Sequence, residues 1–122
     1  QGWLMLARSY KTMGRYEEAA EAYGKAEKVI DDDPELLASY AETIAMAAGK
    51  GLKGKPAQLI ARALKLDPQN AHALFLAGAA AMEAGDNTKG IAYWEALLPQ
   101  VGPGSKIDQM LRSGIDKMKA GG

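Results

Sequence analysis

Apolar residues recur along this chain in blocks of about 34 positions, and that period constrains its fold more than any other feature. Trp3, Leu6, Ala7 and Tyr10 fall on one face of a helix at i, i+3, i+4 and i+7, and Leu37, Tyr40, Ala41 and Ile44 repeat the pattern 34 positions later. A third block sets Leu74, Ala77, Gly78 and Ala81 on one face, 37 positions beyond the second. Interleaved blocks carry Ala19, Tyr23 and Ala26, then Ile60, then Gly90, Trp94 and Leu97. From Tyr23 to Ile60 is 37 positions and from Ile60 to Trp94 is 34, so three extra residues lie inside the second block, in the Gly- and Lys-rich run Gly49 to Lys55. A repeat of this length marks stacked helix pairs, each burying its apolar face only against its neighbours.

Punctuation between the blocks agrees. Gly14 stops the first helix, and Tyr16 to Ile30 reads as a single second helix with Glu17 and Glu18 early and Lys25 and Lys28 late, as the helix dipole favours. Asp31-Asp32-Asp33-Pro34 ends that helix and caps the next. After the Gly49 to Lys55 loop come a helix from about Pro56 to Leu66, an Asp67-Pro68 break, the Leu74 helix, a Gly85-Asp86 turn and a helix over Ile91 to Leu98. Beyond Val101-Gly102-Pro103-Gly104, Ile107, Met110, Leu111, Ile115 and Met118 mark a seventh helix. Val, Ile and Thr supply only 11 residues against 23 Ala, which suits helices and disfavours sheet. The expected fold is all-α: a right-handed tetratricopeptide (TPR) superhelix of three helix pairs plus a C-terminal capping helix. It forms one domain over residues 1–122, with repeats at about 1–33, 34–69 and 70–102 and the cap at about 104–119.

Composition removes several function classes. With no cysteine there is no thiolate nucleophile, CxxC pair or Cys-based zinc site, and the lone imidazole of His72 builds no multi-histidine metal site. Fifteen Lys plus Arg balance fifteen Asp plus Glu, which speaks against a nucleic-acid partner. No apolar run reaches the ~18–20 residues of a membrane span. The abrupt start inside a helical pattern suggests a fragment of something longer. His72 is expected to be solvent-exposed, Asp31 to Asp33 to act as a cap cluster, and Lys50, Lys53 and Lys55 to belong to a surface loop. Neither catalysis nor a cofactor is expected.

In such a superhelix the first helix of each pair lines a concave surface that holds a peptide. Trp3, Tyr10, Tyr23, Tyr40 and Trp94 are expected to be taken up by packing between helices. Residues beside the stripe face the groove: Leu4, Met5, Arg8, Lys11 and Thr12, then Ala38, Ser39, Glu42 and Met46, then Phe75, Ala79, Met82 and Glu83. Leu4, Met5, Met46, Phe75 and Met82 would form an apolar, Met-rich floor suited to an amphipathic helix docking through i, i+3, i+4 and i+7 anchors. The alternative is that some of these methionines fill gaps against the capping helix. Arg8 and Lys11, one turn apart, either receive a partner's carboxylate or form a solvated pair balanced by Glu42 or Glu83.

Narrower features carry a family resemblance: Gly2-Trp3-Leu4-Met5-Leu6-Ala7-Arg8-Ser9-Tyr10 with Met13-Gly14-Arg15-Tyr16, Leu37-Ala38-Ser39-Tyr40-Ala41-Glu42, and the loop Gly54-Lys55-Pro56. Ala63-Leu64-Lys65-Leu66-Asp67-Pro68, Tyr93-Trp94-Glu95 and Pro103-Gly104-Ser105 extend it over essentially the whole chain. The sequence resembles the C-terminal periplasmic TPR domain of the CcmI/CycH cytochrome c biogenesis proteins and the related NrfG subunit of the nitrite reductase haem lyase. The resemblance implies a holder of apocytochrome c, bound through its C-terminal helix, in the periplasm of a Gram-negative bacterium. It also implies haem-ligation partners of the CcmF and CcmH type, and membrane attachment only through an N-terminal region absent from this chain. The carboxylate-clamp TPR of heat-shock co-chaperones differs, having Lys and Asn where this chain has Leu4 and Arg8. A scaffold for assembly of a membrane complex is the alternative function.

Overall fold

A computed structural model describes residues 2–121, which form eight α-helices and no strand. They are α1 (Gly2–Thr12), α2 (Tyr16–Lys25), α3 (Glu27–Ile30), α4 (Pro34–Ala48), α5 (Lys55–Leu66), α6 (Ala71–Glu83), α7 (Asn87–Leu97) and α8 (Lys106–Gly121), with a 3₁₀ turn at Leu98–Gln100. Helices α1 and α2, α4 and α5, and α6 and α7 pack as neighbours in sequence, while α2 against α4, α5 against α6 and α7 against α8 join one pair to the next. The fold is thus an all-helical stack in which α4 sits against α2 and α6 against α5.

Local chemistry sets the boundaries. Asp33 accepts the Leu36 N–H at 3.2 Å with Pro34 in the first turn, Asn70 accepts the Ala73 N–H at 2.9 Å, and Asp86 accepts the Lys89 N–H at 3.2 Å. At α8 the capping is reciprocal: Asp108 N–H donates to Ser105 Oγ at 3.1 Å and Gly104 N–H donates to the Asp108 carboxylate at 3.0 Å. The expected single helix over Tyr16 to Ile30 is instead interrupted at Ala26, whose N–H is shared between the Ala22 and Tyr23 carbonyls at 3.2 and 3.0 Å. The tightened turn follows Gly24, the weakest helix former in the segment. Asp31, beyond the break, pairs with Arg62 of α5.

Two apolar clusters hold the stack. The first gathers Ala7, Tyr23, Ile30, Leu37, Tyr40, Leu59 and Ile60, with the Tyr23 and Tyr40 rings stacked at 5.7 Å. The second gathers Leu74, Trp94, Leu97, Leu111, Ile115 and Met118. Trp94 donates its indole N–H to the Phe75 carbonyl at 3.0 Å and lies against Gly78 of α6 and Gly114 of α8, where any β-carbon would overlap the ring.

Trp3 departs from the expected packing. It is 44% exposed, with the Lys25 ammonium 4.3 Å from its ring centroid, and Leu6 is 43% exposed. The residues 34 positions on, Leu37 and Tyr40, are 0% and 5% exposed. The difference is the neighbour: α2 lies against α4, whereas among the described residues no earlier helix lies against α1. The Gly49 to Lys55 loop is also less free than expected, since Leu52 is buried and its N–H donates to Glu83 Oε1 at 2.9 Å.

Candidate functional site

A chain of polar contacts crosses the face on which the first helices α1, α4 and α6 stand side by side. Lys11 of α1 donates to Ser39 Oγ and to Glu42 Oε1, both 2.9 Å away on α4, and Ser39 also lies 3.1 Å from the Tyr23 hydroxyl. The same Glu42 oxygen is 3.4 Å from His72 Nε2 on α6, while His72 Nδ1 is 2.8 Å from Glu35 Oε2 at the start of α4. With a carboxylate close to each ring nitrogen, the protonated imidazole, which donates from both nitrogens, is favoured. Its pKa is raised, first by the Glu42 bond and next by Glu35, against the opposing effect of burial. Glu42 is correspondingly held at about 2, by the His72 bond foremost and by Lys11, again against burial. His72 is therefore not the solvent-exposed side chain expected: its position in the first turn of α6 brings it between two carboxylates of α4.

Two hollows of different chemistry flank this chain. One is lined by Arg8, Lys11, Thr12, Glu35, Leu36 and Ser39, at the α1 end. The other, of about 270 Å³, lies between α6 and α8; Ala71, His72, Phe75, Leu97, Val101, Ile107 and Met110 line it, and the surface they expose to it is apolar. Ile107 and Met110 are 52% and 44% exposed, whereas Leu111, Ile115 and Met118 of the same helix are buried. Small-molecule sites usually occupy ~300–1,000 Å³, so this hollow suits one anchoring side chain better than a free ligand.

The residues expected to line the groove divide between these places. Arg8, Lys11 and Ser39 share the first hollow and Glu42 joins it through Lys11; Phe75 lines the second, its ring stacked on Trp94 at 5.8 Å. Leu4 and Ala79 are half-buried against the core clusters. Met5 is 71% exposed, Met82 is exposed near the end of α6, and Met46 lies beside the α1–α2 turn with Gly14 and Arg15; none of the three lines either hollow. Ala38 is fully buried, because its helix is covered on that side, and Glu83 is turned to the Leu52 N–H. Of the two readings of Arg8 and Lys11, Lys11 is balanced by Glu42, while Arg8 has no ion-pair partner among the described residues. Sequence reasoning missed Ile107 and Met110 as surface residues. The signal was an apolar arc on α8 wider than one buried face requires.

Residues 1–107 match the family described as cytochrome c-type biogenesis protein H TPR domain. The chain is 30% identical over 119 residues to cytochrome c-type biogenesis protein CycH of Pseudomonas aeruginosa, covering 98% of this chain and 29% of that protein. It is 27% identical over 96 residues to CycH of Rhizobium meliloti, covering 79% of this chain and 25% of the relative. It is 29% identical over 117 residues to the formate-dependent nitrite reductase complex bifunctional subunit NrfFG of Haemophilus influenzae, covering 96% and 29%. The chain therefore spans less than a third of the length of each of these relatives. No helix of the described residues is long and apolar enough to cross a membrane.

Proposed function

This chain belongs to the TPR family of cytochrome c-type biogenesis protein H, and from that premise we propose that it is a non-enzymatic, periplasmic peptide-binding module. It holds apocytochrome c by its C-terminal helix for haem ligation, beside haem-ligation subunits of the CcmF and CcmH type. On this reading the repeats run over about 1–33, 34–69 and 70–102 with the cap at about 104–119. The parent protein is anchored in the inner membrane by a region outside this chain. The observation that carries the reading is the apolar hollow between α6 and α8, open beside the Lys11–Glu42–His72 chain. An apolar pocket with a polar margin is what an amphipathic helix needs: one or two anchors to bury and a wet flank.

Isothermal titration of a synthetic peptide matching the last helix of a c-type apocytochrome tests this. Saturable binding that Ile107→Glu weakens by about tenfold or more supports it; Ile107 is half exposed, so the variant should keep its helical circular dichroism. Absence of binding by the parent chain rejects it.

A second reading, a scaffold for assembly of a membrane complex, is favoured by one observation: Trp3 and Leu6 leave open the face that α4 buries through Leu37 and Tyr40. Light scattering at rising concentration separates the two. Self-association lost in Leu6→Glu favours the scaffold, whereas a monomer that binds peptide disfavours it.

A further inference from the structure

We infer that the bound segment lies in one direction only, with an apolar side chain in the hollow between α6 and α8 and its C-terminal carboxylate on Arg8 of α1. This inference rests on the proposed peptide-holding function and adds the polarity of the ligand.

The two hollows are neighbours on one face. His72 borders the apolar one, and its Nδ1 is 2.8 Å from Glu35, which lines the other. A helix laid across this face therefore meets apolar surface at the α8 end and charge at the α1 end. Within the charged part the accounts are nearly closed: Lys11 is held by Glu42, and Glu35 and Glu42 by His72. Arg8 alone among these groups has no carboxylate partner among the described residues, and its guanidinium is exposed at the hollow.

The ends of a peptide helix are electrically unlike. The C-terminal end carries unsatisfied carbonyls worth roughly half a negative charge, and a terminal carboxylate adds a full one. Arg8 offers that end a planar set of donors matched to a carboxylate. At the apolar hollow the one ionisable neighbour, His72, is already taken by Glu35 and Glu42, so burying a charged terminus there is costly. Reversing the segment would set its positive N-terminal end against Arg8, a repulsion that selects against that arrangement.

Fluorescence anisotropy with two forms of the apocytochrome C-terminal peptide, one ending in a free carboxylate and one in an amide, reads the direction. The amide should bind the parent chain about five- to tenfold more weakly. Arg8→Gln should weaken the free acid by a similar factor and the amide by less than about twofold, whereas Met110→Glu should weaken both forms alike. Equal affinity of the two peptides for the parent chain, or an equal loss of both in Arg8→Gln, overturns the direction while leaving the holding function intact. If neither peptide binds, the direction and the function fall together.

Discussion

His72 Nε2 lies 3.4 Å from the Glu42 oxygen that also accepts Lys11 Nζ at 2.9 Å, so one half-buried carboxylate links the first helices of all three pairs. Neither bond belongs to a core cluster.

That link makes stability depend on pH in two opposite ways. Glu42 is lowered from 4.5 to about 2, so its contribution is complete above 4.5 and is lost as pH falls toward 2. His72 is raised above 6.5, so its contribution is complete below 6.5 and is lost as pH climbs through its folded value. Thermal melts should show a plateau between these limits and a decline on either side. Because His72 is the only histidine, the alkaline decline is diagnostic. His72→Gln should abolish it at a cost of about 1 kcal/mol near pH 6, or about 3–5 °C in Tm. A Tm that is flat from about pH 6 to 8 in the parent chain would contradict the bridge.

The inserted loop should prove to be a stability element. Glu83→Ala leaves the N–H of buried Leu52 without its acceptor and should cost about 1–3 kcal/mol in urea unfolding. Gly51 has φ +76° and sits beneath the Glu83 carboxylate, so Gly51→Ala meets a left-handed backbone and also pushes that carboxylate off the Leu52 N–H. Gly54, at φ +80°, has open space around it. Gly54→Ala should therefore cost only the backbone penalty of about 1–2 kcal/mol, and Gly51→Ala clearly more.

Trp94 should report on the junction of α6, α7 and α8. A methyl at Gly78 would overlap the indole that donates to the Phe75 carbonyl, so Gly78→Ala should destabilise by about 1–3 kcal/mol and shift Trp94 emission to the red. Trp3 is already 44% exposed and should contribute an unchanged background. An unshifted spectrum with parental stability would mean that the indole packs elsewhere.

What was legible in the sequence is what a single helix encodes about itself. Leu37, Tyr40 and Ala41 are buried as their spacing requires, and Asp33 caps α4 as its place before Pro34 requires. Trp3 carries the same signal as Leu37 and is exposed, because burial of a first helix depends on the second helix before it. His72, Glu35 and Glu42 meet through the stacking of α6 on α4, across 30 or more positions, and no local spacing announces such a pair. The apolar hollow has the same origin. Ile107, Met110, Leu111, Ile115 and Met118 mark one helix alike, and only the placement of α8 against α7 separates the buried Leu111, Ile115 and Met118 from the exposed Ile107 and Met110.

The methionines separate a groove defined by sequence position from one defined by the hollows. Met46 is 47% exposed and Met110 is 44% exposed, so neither substitution to Glu should unfold the chain. Met46 lies by Gly14 and Arg15 at the α1–α2 turn, while Met110 lines the hollow beside Phe75 and Ile107. A Glu at position 110 would set a carboxylate in an apolar wall without a partner, whereas at 46 it would project into solvent near Arg15. Titration of the apocytochrome C-terminal peptide should give a loss of about tenfold or more for Met110→Glu and less than about twofold for Met46→Glu. The reverse ranking would move the binding surface to the Met46 edge and away from α8.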